Sequence, residues 1–243
     1  MKQNELSERL NNWDRIGNYS RWMYHKYEAY IGKRVLDIGA GMGRMGDFYI
    51  AQCDKVVAAD IFQSQVNYMN KKFEGFPSFK AEFIDIMTDD IEELEEQFDT
   101  VLCINVLEHL EDDELAVHKM KRCLYQGGNL VLFVPAWKKL YCQMDVNVNH
   151  YRRYDRGDLK KLAAKAEMDV IYNGYFNMMG IIPYYLKGKS NLKSGESFSS
   201  TLNEGNSKLY NIASKILEPI EKIVPPRWGL SEIIVLKKKD TSP

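Results

Sequence analysis

Apolar and polar positions alternate in blocks that predict strands and helices in turn over the first two thirds of the chain. Short, mostly apolar runs begin at Arg34, Lys55, Ala81, Phe98 and Asn129, each with a length typical of a buried strand. Between these runs, apolar residues recur at helical spacing. This order predicts an α/β protein with a mostly parallel sheet and helices on both of its faces.

The remaining segments add elements at both ends of this region. Residues 6–31 carry apolar positions three and four apart, which predicts an N-terminal helix within a helical segment 1–33. Asp169–Tyr172 and Ser231–Lys237 have the apolar character of two further strands. The segment between them, about 176–229, is an insertion that we expect to form a cap on a main domain of residues 34–237.

Part of the insertion and the last residues have a loop-like composition. Residues 190–207 are rich in Ser, Gly, Asn and Lys, which predicts a loop. The apolar, aromatic stretch 175–186 is expected to be a buried cap, with an acceptor pocket, a dimer surface and a membrane contact as alternatives. Residues 238–243 are expected to be a frayed tail.

Composition narrows the class of protein. The formal net charge of −1 argues against nucleic acid as the main partner, because nucleic-acid-binding proteins usually carry a basic excess. No apolar stretch reaches the roughly 18 residues of a membrane span, and no signal-peptide pattern is visible, so we expect a cytoplasmic protein. The four cysteines lie far apart and without zinc-ligand spacing, so no metal site is expected.

The most informative motif is the sequence Asp37-x-Gly39-x-Gly41-x-Gly43. Glycines allow a sharp turn and the close approach of a ligand to backbone amides. The loop follows the first strand and leads toward a helix, and ligands of open α/β sheets bind at this carboxyl edge. The motif therefore predicts a nucleotide-like ligand.

Two cofactor classes fit these glycines. The register Gly41-x-Gly43-x-x-Gly46 matches a dinucleotide fingerprint, and Asp60 at the end of the second strand could bind the ribose of either NAD or another nucleoside. Asp85, after the third strand, adds an acceptor for an adenine amino group. No Walker lysine follows the loop, so a P-loop is not favoured.

The combined segments resemble the class I S-adenosylmethionine-dependent methyltransferases. Val35–Gly43 is similar to the first motif of that family, Ala59–Ile61 to its ribose-binding segment, Ile84–Ile86 to its adenine-binding segment, and Asn105–His109 to its fourth motif. The resemblance implies a Rossmann-like, seven-stranded sheet with an antiparallel last strand beside the sixth. It also implies that the N-terminal segment closes over the cofactor. The implied contacts of S-adenosylmethionine, or of its product S-adenosylhomocysteine, are Tyr19, Asp37, Gly39, Ala40, Gly41, Gly43, Asp60, Ile61, Asp85, Ile86, Asn105 and Val106.

A narrower resemblance rests on four further segments: Asn18–Trp22, His150–Tyr154, Gly174–Asn177 and Pro226–Ser231. They are similar to a bacterial subgroup of these methyltransferases that is often associated with glycan and secondary-metabolite pathways. The subgroup does not define the acceptor. For Asp37 we expect a role in ordering the amides of the glycine loop or in binding the cofactor's amino group through water.

Candidate residues for the acceptor follow the fifth strand. His150 is the leading candidate for a general base, and His109 is the second. Tyr151, Arg152, Arg153 and Tyr175 are candidates for acceptor binding. The structural alternative is that the arginines pair with Asp155 or Asp158 and that the tyrosines pack under the loop.

These observations predict a methyltransferase that acts on a small-molecule acceptor, with an oxygen acceptor favoured over nitrogen. Three alternatives remain open from sequence: an NAD-dependent oxidoreductase, a non-catalytic S-adenosylmethionine-binding protein, and an enzyme of the same fold with another reaction. A homodimer is a further possibility. The acceptor itself is not defined by any motif.

Overall fold

One mixed sheet of seven strands organises the computed structural model, which describes residues 16–189 and 204–240. The strand order is β3-β2-β1-β4-β5-β7-β6. The strands are β1 Arg34–Ile38, β2 Lys55–Asp60, β3 Phe79–Phe83, β4 Phe98–Ile104, β5 Leu124–Pro135, β6 Met168–Phe176 and β7 Ser231–Lys238. β7 is antiparallel to both of its neighbours, and the other pairs are parallel. The predicted fold, with its antiparallel last strand, is confirmed.

Helices cover both faces of this sheet. The α-helices of the described residues are α1 Gly17–Tyr24, α2 Gly46–Tyr49, α3 Gln63–Lys72, α4 Asp113–Cys123, α5 Gln143–Val146, α6 Asp158–Lys165, α7 Ile181–Gly188 and α8 Glu204–Ile223. Successive residues of β1 face opposite sides: Leu36 joins a buried cluster with α4 and α6, whereas Val35 joins one with α1 and α3. This alternation gives the sheet a hydrophobic core on each face.

Two helices are shorter than the apolar pattern predicts. α1 ends at Tyr24 and a 3-10 turn at Glu28–Tyr30 follows, while residues 6–15 of the predicted helix lie outside the described residues. The helix that follows the glycine loop begins only at Gly46, because the loop has a left-handed backbone up to Gly43. The site therefore sits on a longer loop than the sequence indicates.

The insertion between β6 and β7 contains α7 and α8, and α8 packs against α1. The Asn18 amide donates to Asn211 Oδ1 at 3.0 Å, and Lys26 forms an ion pair with Glu221 at 3.2 Å. Residues 190–203 of the predicted loop lie outside the described residues, and residues 204–207 belong to α8. The N-terminal segment and the cap are thus joined on one face of the sheet.

The cap and the chain end differ in part from expectation. Tyr184 is buried, as a buried cap predicts, but Ile182 and Leu186 on the same helix are exposed. Lys238, expected in the frayed tail, is the last residue of β7, and its ammonium donates to the Leu124 carbonyl at 2.7 Å. No helix among the described residues is long and apolar enough to cross a bilayer.

Candidate active site

The glycine loop follows β1 and has a left-handed backbone at three alternate positions. The φ angles are 68° at Gly39, 63° at Gly41 and 65° at Gly43, a region that side chains disfavour. A Cβ at Gly39 would lie 2.4 Å from a methyl carbon of Val106, and one at Gly43 would lie 2.6 Å from the Phe73 ring. The loop therefore excludes side chains at both of these positions, on conformational and on steric grounds.

The end of β2 holds the loop through backbone amides. The amides of Gly39 and Ala40 donate to the Ala59 carbonyl at 2.8 and 3.1 Å. The Gly41 amide donates to Asp60 Oδ2 at 2.9 Å. The acid at the end of the second strand therefore orders the glycine loop directly.

Asp37 has a different environment from the one expected. Its side chain is buried and accepts a hydrogen bond from the Tyr49 hydroxyl at 2.7 Å, whereas the Gly41 amide donates to Asp60. Binding of the cofactor's amino group by Asp37 through water stays a prediction. Burial raises the pKa of Asp37 to about 7, although the Tyr49 hydrogen bond opposes that shift. Burial also raises the pKa of Asp60 to about 6, although three backbone hydrogen bonds to its carboxylate oppose that shift. A positively charged ligand nearby would favour the ionised form of both acids.

The predicted ribose and adenine segments border the same edge of the sheet. Ile61 is exposed beside Asp60. Asp85 lies two residues beyond β3 and its carboxylate accepts the Met87 amide at 2.9 Å, while Ile86 is buried. These positions are consistent with a nucleoside along the ends of β1 to β3, and their contacts with a cofactor stay a prediction.

The turn after β4 meets the glycine loop. Asn105 has a φ of 54°, and its amide donates to the Phe133 carbonyl of β5 at 2.8 Å. This turn directs Val106 against Gly39. Residues from the ends of β1, β2 and β4 are therefore brought together as the motifs predict.

Tyr19 is a residue of α1, and its buried side chain packs against the end of β6. Its ring packs edge-on against Phe176 with centroids 5.2 Å apart, and Asn177 Nδ2 donates to its hydroxyl at 3.4 Å. Burial raises its pKa well above the ordinary value. A contact of Tyr19 with the cofactor stays a prediction.

A second cluster stands immediately after Val106 and contains both candidate histidines. The rings of His109 and His150 are 4.6 Å apart and nearly perpendicular, and Glu108 is buried beside them. His150 Nδ1 lies 2.9 Å from Asp145 Oδ1, and His109 Nδ1 lies 3.3 Å from the Asn149 carbonyl oxygen. Burial raises the pKa of Glu108 to about 7, and desolvation lowers the pKa of His109 to about 4.

Asp145 is the centre of a buried network that positions His150. Besides His150, its carboxylate accepts from Arg153 Nε at 2.8 Å, from the Tyr184 hydroxyl at 3.0 Å and from the Cys142 amide at 3.0 Å. Burial opposes its ionisation, but the hydrogen bond from His150 and the charge of Arg153 hold its pKa below the usual value. The network connects the His150 segment to the cap through α7.

The two candidate arginines differ from expectation. Arg153 is only 3% exposed, because its guanidinium pairs with the Asp145 carboxylate and donates to the Ala136 carbonyl. Arg152 pairs with Asp113 at 3.1 Å. The expected partners, Asp155 and Asp158, are therefore corrected to Asp145 and Asp113. Acceptor binding by Arg153 does not fit its burial.

The two candidate tyrosines also occupy different environments. Tyr151 is 55% exposed beside the histidine cluster. Tyr175 is buried and its ring stacks on Trp137 with centroids 5.5 Å apart. Of these two, Tyr151 has the more accessible side chain, and the role of either in acceptor binding stays a prediction.

Sequence reasoning missed three residues that shape this site. Tyr49 donates to Asp37, Asp145 positions His150, and Glu108 completes the histidine cluster. Of these three residues, Glu108 carries a signal in the sequence, because it is adjacent to the candidate base His109. The other two residues act across the fold, where spacing along the chain gives no signal.

Comparison with known proteins identifies a methyltransferase domain in part of the chain. Residues 36–130 match the sequence profile of a family described as a methyltransferase domain. The ubiquinone biosynthesis O-methyltransferase of Pseudomonas syringae pv. tomato is 29% identical over 102 residues, which are 41% of this chain and 43% of that enzyme. The chain aligns with less than half of the length of the curated relatives it matches.

Solved structures show the same fold over most of the chain. A SAM-dependent methyltransferase from Archaeoglobus fulgidus superimposes with a TM-score of 0.57 at 18% identity, over 89% of this chain and 91% of that chain. A geranyl diphosphate methyltransferase in complex with SAM superimposes with a TM-score of 0.58 at 12% identity, over 85% of this chain and 78% of that chain. Likeness at this level of identity concerns the fold.

The sheet order and the glycine loop define a class I methyltransferase fold. Residues 36–130 match a methyltransferase domain, and the chain has the fold of S-adenosylmethionine-dependent methyltransferases. The dinucleotide alternative is not favoured, because a Rossmann dinucleotide sheet has the order 3-2-1-4-5-6, without the inserted antiparallel β7 seen here.

Proposed function

We propose that the chain transfers the methyl group of S-adenosylmethionine to a hydroxyl oxygen of a small-molecule acceptor. One observation carries the proposal: the cluster of Glu108, His109 and His150 follows Val106, which packs on the glycine loop. Groups that can remove a proton thus lie beside the loop expected to bind the methyl donor. The name of the relative from ubiquinone biosynthesis, an O-methyltransferase, also favours oxygen.

The chemistry needs positioning and the loss of one proton. A lone pair of the acceptor oxygen forms the new bond to the methyl carbon, and the electron pair of the carbon–sulfur bond stays on sulfur, which becomes neutral. The acceptor's hydroxyl proton leaves in the same process. The sulfonium is itself a strong electrophile, so the main contribution of the protein is to hold oxygen, carbon and sulfur in line.

His150 is better placed than His109 to serve as a base. Asp145 accepts from its Nδ1, which fixes the ring and directs the Nε2 lone pair away from the carboxylate. His109 has a lowered pKa, about 4, and is therefore a weak proton acceptor. Transfer to an amine would need less assistance from a base, because the lone pair of an unprotonated amine nitrogen can attack the methyl carbon directly.

The remaining partners follow from composition and the cofactor. The formal net charge of −1 is consistent with a small acceptor in place of nucleic acid. S-adenosylmethionine is the proposed methyl donor, with the nucleoside along the ends of β1 to β3. A homodimer and a cytoplasmic location stay predictions.

Two assays test the proposal in sequence. The first compares thermal unfolding with S-adenosylhomocysteine and with NAD, and we expect stabilisation by the former alone. The second follows labelled methyl from S-adenosylmethionine into a panel of hydroxylated and aminated metabolites, with transfer RNA as a comparison acceptor. Stabilisation by NAD alone, or transfer restricted to RNA or to amines, would contradict it.

A further inference from the structure

Three side chains that favour metal coordination meet at the carboxyl edge of the sheet. Glu108 and His109 lie on the 3-10 turn after β4, and His150 follows α5. One ligand atom from each of these side chains lies within 4.8 Å of the other two. The fold therefore unites donors from two segments that are distant in sequence.

Both imidazoles have the hydrogen-bond pattern of metal ligands. His150 Nδ1 faces the Asp145 carboxylate at 2.9 Å, and His109 Nδ1 faces the Asn149 carbonyl at 3.3 Å. Because both partners are acceptors, each Nδ1 carries the proton and each Nε2 carries a lone pair. Carboxylate and carbonyl partners of this kind commonly support metal-bound histidines.

Glu108 supplies an independent observation. Its side chain is 1% exposed, and its Oε2 has no hydrogen-bond partner among the residues that the structure describes. Its other oxygen, Oε1, lies 3.9 Å from His150 Nε2. A buried carboxylate oxygen without a partner is destabilising, and a cation at this point would satisfy it.

We propose that Glu108, His109 and His150 bind a divalent transition-metal ion of the zinc type. Two imidazole nitrogens and one carboxylate oxygen favour such an ion over magnesium or calcium, which prefer oxygen ligands. Ligand atoms around zinc lie roughly 3.4 Å apart, given bonds of about 2.1 Å. Glu108 Oε1 and His150 Nε2 are 3.9 Å apart, so small side-chain rotations would bring these two atoms to that distance.

The role of the ion rests on the proposed function. Three protein ligands leave a position for the acceptor oxygen, and a bound cation lowers the pKa of a hydroxyl that it coordinates. The hydroxyl releases its proton to solvent and the oxygen keeps the lone pair that attacks the methyl carbon. Both imidazole lone pairs then bind the ion, so the ion replaces His150 as the means of activating the acceptor.

The site also explains why the sequence predicted no metal. Zinc-ligand spacing is recognised from cysteines and histidines that are close together in the chain. Here the adjacent pair Glu108–His109 supplies two ligands, and the third arrives from the loop after β5. The expectation of no metal site rested on spacing that this site does not use.

The test measures metal binding directly. Protein freed of metal with a chelator is titrated with Zn²⁺ by calorimetry and with Co²⁺ by visible absorption, where ligand-field bands report a nitrogen–oxygen site. We expect about one equivalent per chain. His109→Ala, His150→Ala and Glu108→Gln should each weaken binding more than about a hundredfold, since even outer-shell partners change metal affinity 10–100-fold. His118→Ala, on α4 and outside the cluster, is the matched control and should bind as the wild type does.

The outcomes separate the metal site from the methyl-transfer proposal. Absence of binding by the wild type, or equal binding by His109→Ala and His118→Ala, would overturn the metal site. Replacing His109 removes a long hydrogen bond of 3.3 Å to the Asn149 carbonyl, so the fold is expected to stay intact, and thermal unfolding checks this. S-adenosylhomocysteine titrated into the metal-free protein tests the cofactor site separately, and its failure to bind would count against the proposed function instead.

Discussion

The glycine loop and the Asp145 network are two parts of one site that are held by opposite means. The loop is held by backbone amides on β2 and by the absence of side chains at Gly39 and Gly43. The network is held by charged and hydroxyl side chains around a fully buried carboxylate. The comparison shows that the proposed cofactor side depends on positions where no side chain fits, and the proposed acceptor side on charged groups that must be paired.

The largest expected effect comes from breaking the network at its centre. Asp145→Ala leaves the Arg153 guanidinium buried and without its carboxylate, and it removes the acceptor of Tyr184 and His150. We expect the free energy of unfolding to fall by about 3–5 kcal/mol. Urea unfolding measures it.

An exposed pair provides the control for that prediction. Glu114→Gln removes the partner of Lys165, and these two side chains are 41% and 59% exposed. A loss below about 1 kcal/mol is expected there. If both variants lose the same amount, the buried network has no special role in stability.

A side chain at Gly39 should disrupt the glycine loop by steric clash. Gly39→Ala places a Cβ 2.4 Å from Val106 Cγ2 at a φ of 68°, so both the clash and the backbone strain oppose it. We expect the free energy of unfolding to fall by about 2–4 kcal/mol and the binding of S-adenosylhomocysteine to be lost. Calorimetry and thermal unfolding measure these two effects.

A double variant separates the two causes. Adding Val106→Ala to Gly39→Ala removes the methyl groups that clash, and we expect about half of the lost stability to return. Gly75→Ala is the control, because a Cβ there meets nothing within 4 Å. No recovery in the double variant would mean that backbone strain alone accounts for Gly39.

The same contrast explains what the sequence could predict. The glycine loop and the strand order follow from local spacing and from a resemblance carried by contiguous residues, and the structure agrees with them, whereas the ribose contact of Asp60 stays a prediction. The Asp145 network and the meeting of His150 with the Glu108–His109 pair form only in the folded chain, so spacing along the chain did not indicate them. The apolar pattern likewise does not show that positive φ angles would delay the start of α2.

Asp37 allows the cofactor side to be tested by pH. Its pKa is raised from 3.8 to about 7, so between these values the folded state holds a proton that the unfolded state has lost. Stability of the cofactor-free protein therefore falls as pH rises from about 4 to 7. Asp37→Asn should flatten this dependence and be more stable than the wild type at pH 8, by about 1–3 kcal/mol. Urea unfolding at pH 5 and pH 8 measures it, and parallel pH profiles for the two proteins would contradict it.

Tyr49→Phe should give the smallest change and refine the assignment of Asp37. The Tyr49 hydroxyl donates to the carboxylate at 2.7 Å, and that bond holds the pKa of Asp37 below the value that burial alone would give. Without it we expect a further rise in the pKa of Asp37 and a loss of about 1 kcal/mol at pH 8, where the carboxylate is ionised. At pH 5 the loss should be smaller, because the protonated acid is the form that burial favours. Urea unfolding at both pH values checks this. In the Asp37→Asn background, Tyr49→Phe should lower the free energy of unfolding by the same amount at pH 5 and at pH 8. A loss that is equal at pH 5 and pH 8 in the single variant would contradict this assignment, because it would show that the contribution of the Tyr49 hydroxyl does not depend on the ionisation of Asp37.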